Sequence, residues 1–226
     1  MNILLVNDDG YFATGIKLLY DLLKRDHKVV IVAPNTSMSA KSVSITLGKG
    51  SKVEQVDKDI FSFEGTPADC VAFGLSSLNM KFDLVISGCN HGFNVSYDTM
   101  YSGTVGACLQ ALTFEVPAIA ISCDNNFEII EKYFLETFNY ILKKNMLSKE
   151  YMINVNFPLG EESKGIKETH IHYRNKEEAT FYVKNSDGEY LAMRSIKDNE
   201  CLDENSDVYA VHHGYISISK LNKTLC

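Results

Sequence analysis

The 226-residue chain contains no apolar run approaching the roughly eighteen residues of a helical membrane span, so no membrane partner is expected. Its start lacks a basic leader region, and Met1 passes almost directly into "NILLV", so no signal peptide and a cytoplasmic setting are expected. None of the six cysteines (Cys70, Cys89, Cys108, Cys123, Cys201, Cys226) forms a C-x-x-C pair, and several sit in apolar runs such as "ADCVAFGL". They read as small core residues, neither a disulfide framework nor a zinc site. Positive charge is in short supply: 22 Lys plus Arg against 29 Asp plus Glu leave a net charge of -7. That balance argues against a nucleic-acid polymer as partner, while a small phosphorylated ligand stays possible where a bound cation inverts the local charge. The chain also lacks G-x-x-x-x-G-K-[ST] and a strand-following G-x-G-x-x-G, so P-loop and dinucleotide readings lose support. Repeats, low-complexity tracts and long linkers are absent too, leaving one domain or one domain with an appendage.

What is present is an alternation of strand-length apolar runs and helical patterns. "NILLV" (2–6) is continuous and apolar, as expected of a strand covered on both faces. Ile16, Leu19, Leu22 and Leu23 repeat at helical spacing over 14–25, and "HKVVIVAP" (27–34) is a second strand stopped by Pro34. Strand pieces with Gly-rich turns follow in "SITLGKGSKVEQVDKDIFSFEG". "TPADCVAFGLSSL" (66–78) carries a helix start, with Thr66 as N-cap and Pro67 at the first helical position. "FDLVISG" (82–88), a helix from "SGTVGACLQALTF", a strand in "VPAIAIS" (116–122), a helical segment 126–144 and "YMINVNFP" (151–158) complete the series. The expected fold is α/β, a Rossmann-like, mostly parallel sheet with helices on both faces. From about residue 160 the pattern turns β-rich, with a hairpin signal in "NSDGEY". Residues 1–160 therefore read as the core and 161–226 as an extension reaching over its own domain or a neighbouring subunit.

In open α/β sheets, ligands bind beyond the carboxyl ends of the strands. Three polar clusters fall at such ends: "NDDG" after 2–6, "APNTSMSAKS" after 27–33 and "SGCNHGFN" after 82–86. Adjacent Asp8 and Asp9 repel each other, so they mark either an ordinary Asp-Gly turn or a hard divalent cation held by carboxylate oxygen. Ser39 and Asn90, or neighbours, could add neutral oxygens, and such a set favours Mg²⁺ or Mn²⁺ over structural zinc. Ser37, Ser42 and Ser44 are further hydroxyls in the second cluster, and Asn94 a further amide in the third. Ser102, Gly103 and Thr104 open a helix, where hydroxyls and free N–H groups can face a phosphate or merely cap their own helix. The histidines are scattered; only His91 lies within a cluster, and no role is assigned to it. "DNECLDENSD" (198–207) reads as a solvated acidic loop.

Taken in order, "ILLVNDDG" with "GI" at 15–16, "IVAP" followed by "SMSAKSVSIT", "GTPADCV", "SGCNHGFN", "YSGTVGA" and "AVHHGYISIS" resemble the survival-protein SurE family of metal-dependent nucleotidases. The resemblance covers about residues 2–218. It implies a Rossmann-like core with a C-terminal β-rich extension used in homodimer or homotetramer assembly. It also implies hydrolysis of nucleoside 5′- and 3′-monophosphates with one divalent metal ion (Mg²⁺ or Mn²⁺) per subunit. By motif position Asp8, Asp9, Ser39 and Asn90 correspond to the metal ligands, with Asp8 and Asp9 catalytic. Asn94, Ser102, Gly103 and Thr104 fall where the family surrounds the phosphate, and Ser42 joins them. "SGCN" stands where many relatives have "SGIN", and the chain ends soon after "YISISKL", so a longer tail is not expected to contribute. Attack by an in-line water, oriented by Asp9, and a covalent phosphate on Asp8 are both open. The rival activities are short-chain polyphosphate hydrolysis and nucleotide binding without turnover.

Overall fold

The computed structural model describes the chain except residues 49, 125, 173–175, 199–200 and 224–226, with main chain alone at 176–178 and 194–198. Cys226 lies outside the described residues. In chain order the elements are β1 (Asn2–Val6), α1 (Thr14–Leu23), β2 (Lys28–Pro34), β3 (Val53–Asp57), β4 (Ile60–Phe63) and α2 (Pro67–Ser77). β5 (Leu84–His91), the short α3 (Asp98–Tyr101), α4 (Gly103–Thr113), β6 (Ala118–Cys123), α5 (Glu128–Lys143) and β7 (Tyr151–Asn156) follow. The chain continues through β8 (Ile166–Thr169), β9 (Lys176–Lys184), β10 (Tyr190–Asp198), α6 (Asp207–His212) and β11 (Ile216–Asn222).

The period-two geometry of a strand sends successive side chains to opposite faces, and β1 shows why its apolar run is continuous. Ile3 and Leu5 pack with α1 and α5, against Ile16, Leu19, Ile130 and Phe134. Leu4 and Val6 enter the opposite layer with α2 and α4, against Val71, Val105 and Leu112. Both faces of the sheet are therefore dry at β1, as a parallel sheet covered by crossover helices requires.

The central sheet has the order β3-β4-β2-β1-β5-β6-β7-β11-β8. From β4 through β2, β1, β5 and β6 to β7 every pairing is parallel. β3 adds an antiparallel edge beside β4. The sheet runs past residues 151–158: β11 pairs antiparallel with β7, and β8 lies parallel to β11. β11 earns its place through Ile216 and Ile218, which are buried in the same layer as α1 and α5. β9 and β10 form a separate antiparallel hairpin about the "NSDG" turn. After β1 the chain moves to one side through α1 to β2; after α2 it returns to the other side of β1 as β5. The crevice of such a reversal opens beyond the carboxyl ends of β1 and β5.

Local signals set the helix boundaries. Thr66 and Asp69 form a reciprocal capping box on α2, and Pro67 occupies the first turn. The Asp69 carboxylate also accepts the Thr46 N–H at 3.0 Å and the Thr46 hydroxyl at 2.7 Å, binding the backbone at Thr46 to the helix. Burial raises its pKa, but the Thr46 and Thr66 donors outweigh that and leave it below the usual value. Asp69→Ala is expected to cost about 1–3 kcal/mol of stability at neutral pH, read from the urea midpoint. Because the folded-state pKa is lowered, the deficit should shrink as the pH falls through it.

Candidate active site

β1 ends buried at Val6 and hands the rim a turn built by its own Asn7. The Asn7 Nδ2 donates to the Gly10 carbonyl at 2.9 Å, while its Oδ1 accepts the Gly10 N–H at 3.1 Å. Gly10 sits at φ +109°, open to glycine because it has no Cβ. The Met38 N–H donates to the Asp8 carbonyl at 2.7 Å, pinning the loop after β2 to this turn.

Asp8 is 3% exposed, and its Oδ1 accepts the Thr104 hydroxyl at 2.6 Å across 96 residues of sequence. Burial pushes its pKa from 3.8 up to about 6; the Thr104 bond opposes the shift and the Asp9 charge adds to it. Asp9 is half-buried and is also raised by burial, opposed by the His91 N–H that its carboxylate accepts and by the His91 ring. A chain that buries one carboxylate beside another has built a place where a cation relieves both costs.

Asp8, Ser39, Asn90, Asn94 and Ser102 line one cavity of about 190 Å³. The Asn90 Nδ2 donates to the Gly92 carbonyl at 2.8 Å, which orients that amide. The Ser39 hydroxyl meets that of Ser37 at 3.1 Å. Asn94 is locked from β6 and β7: its Nδ2 donates to Ser122 Oγ at 2.8 Å and its N–H to Asn156 Oδ1 at 2.8 Å. Its carbonyl accepts the amides of Asn154 and Asn156. Ser102 caps α4, its Oγ accepting the Val105 N–H at 3.1 Å. Gly103 lies against Asp8: a Cβ there would stand 2.9 Å from the Asp8 Cβ.

Ser42 is placed differently. Its hydroxyl donates to the Met100 carbonyl at 2.8 Å and its N–H to the Tyr101 carbonyl at 2.9 Å, so it fastens its loop onto the segment before α4. Ala40 and Ser42 adopt φ of +57° and +51°, uncommon for residues with a Cβ. The loop closes over Gly106, where a Cβ would fall 2.1 Å from the Ser42 carbonyl oxygen. Ala40, His91, Asp98 and Tyr101 complete the lining. Of these only Asp98, three residues before Tyr101 of "YSGT", carried a chemical signal that the sequence analysis did not use.

Residues 3–178 match the model of the family described as Survival protein SurE. The chain belongs to this family. It is 38% identical over 240 residues to a Clostridium botulinum (strain Loch Maree / Type A3) protein named 5'-nucleotidase SurE, an alignment covering 100% of this chain and 94% of that one. A protein of the same name from C. botulinum (strain Eklund 17B / Type B) is 35% identical over 235 residues, covering 98% of this chain and 93% of its own length. The crystal structure of SurE protein from Aquifex aeolicus superposes with a TM-score of 0.89 at 34% identity, spanning 100% of this chain and 95% of that one. The α/β sheet with its added C-terminal strands is thus the SurE fold.

Removing the buried charge gives a direct reading of the site's cost. With no metal present, Asp8→Asn is expected to stabilise the folded chain by about 2 kcal/mol near neutral pH. The folded pKa of Asp8 is raised, so the native protein itself gains stability as pH falls from about 6 toward its unfolded value of 3.8. The gap between the two proteins should therefore be widest at neutral pH and close on acidification, as read by thermal melts in chelator.

Proposed function

We propose that this SurE-family chain is a 5′-nucleotidase that hydrolyses nucleoside 5′-monophosphates, and 3′-monophosphates as well, to nucleoside and phosphate. The observation that carries this reading is the convergence of carboxylate, hydroxyl and amide oxygens with the first turn of α4 around one rim cavity. The printed activity of the C. botulinum relatives supports it.

Asp8, Asp9, Ser39 and Asn90 would hold one divalent ion, Mg²⁺ or Mn²⁺. The donor chemistry fits: every candidate ligand is a hard oxygen, and buried Asp8 carries an unfavourable charge that a cation would relieve. When bound, the ion would neutralise charge on a nonbridging phosphate oxygen. The chain's own residues supply the rest. Gly103 and Thr104, in the first turn of α4, have N–H groups without intrahelical acceptors and would offer them to the remaining phosphate oxygens. Asn94, held rigid by Ser122 and Asn156, and Ser102 bound the other wall. Ser42 would act by holding the loop that carries Ser39. Thr104 spends its hydroxyl on Asp8 and fixes that carboxylate's rotamer. Asp9, raised by burial, would orient the in-line water and take its proton.

Assembly belongs to the same proposal. The β9–β10 hairpin exposes Phe181, Tyr182, Val183, Tyr190, Leu191 and Met193, which supports a homodimer or homotetramer joined through the 161–226 extension. Free Cys70, Cys89, Cys108, Cys123 and Cys201, all buried, support a reducing, cytoplasmic setting. Among the described residues, no helix is long and apolar enough to cross a membrane.

The test is phosphate release from nucleoside monophosphates and short polyphosphates with Mg²⁺, with Mn²⁺ and with chelator. Metal-dependent release from the monophosphates is expected, with Asp8→Asn slower by on the order of 10²–10³ while still folded. Preference for polyphosphate would reassign the substrate, and folded, metal-loaded protein without turnover would sink the nucleotidase reading.

A further inference from the structure

Away from the cavity, the described residues bring a different ligand set together. His170 and His172 follow β8, and Asp203 precedes α6; one ligand atom from each lies within 4.8 Å of the others. The Asp203 Oδ2 stands 2.8 Å from His170 Nε2 and 3.5 Å from His172 Nδ1. All three side chains are partly exposed, so water could complete a coordination shell.

The backbone holds this trio in register. Residues two apart in an extended segment share a face, which puts both imidazoles toward Asp203. The His170 N–H donates to the Asn205 carbonyl at 3.1 Å and the Asp207 N–H to the His170 carbonyl at 3.0 Å. The His172 N–H donates to Asp207 Oδ1 at 3.1 Å, and the Asn205 N–H to Asp203 Oδ1 at 3.0 Å. Neither segment can slide without breaking these bonds.

A surface histidine–carboxylate pair is the simpler account of one contact, and such pairs are worth little. It does not account for a second imidazole directed at the same oxygen. With metal–ligand bonds near 2.0–2.1 Å, ligands of a tetrahedral ion lie about 3.4 Å apart. The His172–Asp203 separation already matches this, and the His170–Asp203 contact needs to widen by roughly half an ångström. Two imidazole nitrogens and one carboxylate are a borderline set, suited to Zn²⁺, Co²⁺ or Ni²⁺ rather than to the hard ions expected at Asp8 and Asp9.

We propose that His170, His172 and Asp203 form a site for a divalent transition-metal ion of the Zn²⁺ class, distinct from the cavity at the carboxyl ends of β1 and β5. An ion there would clamp the segment after β8 to the one before α6. The buried Asp207 extends that clamp inward: its Oδ2 accepts the Ser96 N–H at 2.8 Å, two residues from Asn94 of the cavity.

The test is calorimetric titration of the full chain with Zn²⁺ alone, carried out in the Asp8→Asn background so that the cavity site is disabled. One equivalent is expected, with Co²⁺ giving the visible absorption of nitrogen and oxygen coordination. His170→Ala and Asp203→Asn should each weaken Zn²⁺ binding by about tenfold or more. His172→Gln keeps the backbone bond to Asp207 and should do the same without loss of fold, monitored by circular dichroism. Absence of Zn²⁺ binding to folded Asp8→Asn protein, or an affinity unmoved by the folded variants, would overturn the proposal.

Discussion

A buried carboxylate at the end of a central strand is the constraint around which this molecule is arranged. Asp8 stands just beyond β1, the strand between β2 and β5, and is 3% exposed. Its charge beside Asp9 is destabilising on its own. The surroundings compensate locally: the Thr104 hydroxyl on one oxygen, the first turn of α4 close behind, and the His91 N–H on Asp9. A fold that retains such a pair trades stability for the capacity to bind positive charge, the usual bargain at a functional site.

Ser39, Asn90 and Asn94 line the same cavity as Asp8. The Asn7 turn, the Met38 bond to the Asp8 carbonyl and the packing of the Ser42 loop on Gly106 bring three loops to one point. Asn94 is reached through β6 and β7 by Ser122, Asn154 and Asn156, polar residues inside an otherwise apolar layer. Such residues weaken a core unless every one is paired. The buried Asn154 Oδ1 has no hydrogen-bond partner among the described residues, while the other bonds converge on Asn94 and its backbone, so rigidity there is what they contribute.

Much of this was legible in the linear chain because the relevant physics is local. Strict period-two burial on β1 reads as a continuous apolar run, and Thr66-Pro67 with Asp69 writes the start of α2. The "NSDG" pair announces the β9–β10 hairpin. Other features carry no local signature. "DNECLDENSD" reads as a solvated acidic loop, yet Asp207 is fully buried with the Ser96, His172 and Val208 N–H groups on its carboxylate, and Cys201 is packed against Val95, Val208 and Val211. The histidines look scattered because His170 and His172 meet Asp203 only after β8 and α6 have packed beside β11.

By itself the sequence determined the alternation of strands and helices, the helix caps and the three polar clusters at strand ends. Each depends on side-chain periodicity or on bonds reaching only a few residues along the chain. Tertiary structure decided which polar groups meet: Thr104 with Asp8, Ser42 with Met100, Asn94 with Asn156 and Asp203 with two imidazoles. It also decided that β11 and β8 continue the main sheet. Those choices rest on contacts between residues 31 to 96 apart, and they are settled by how whole layers pack, which no short window of sequence contains.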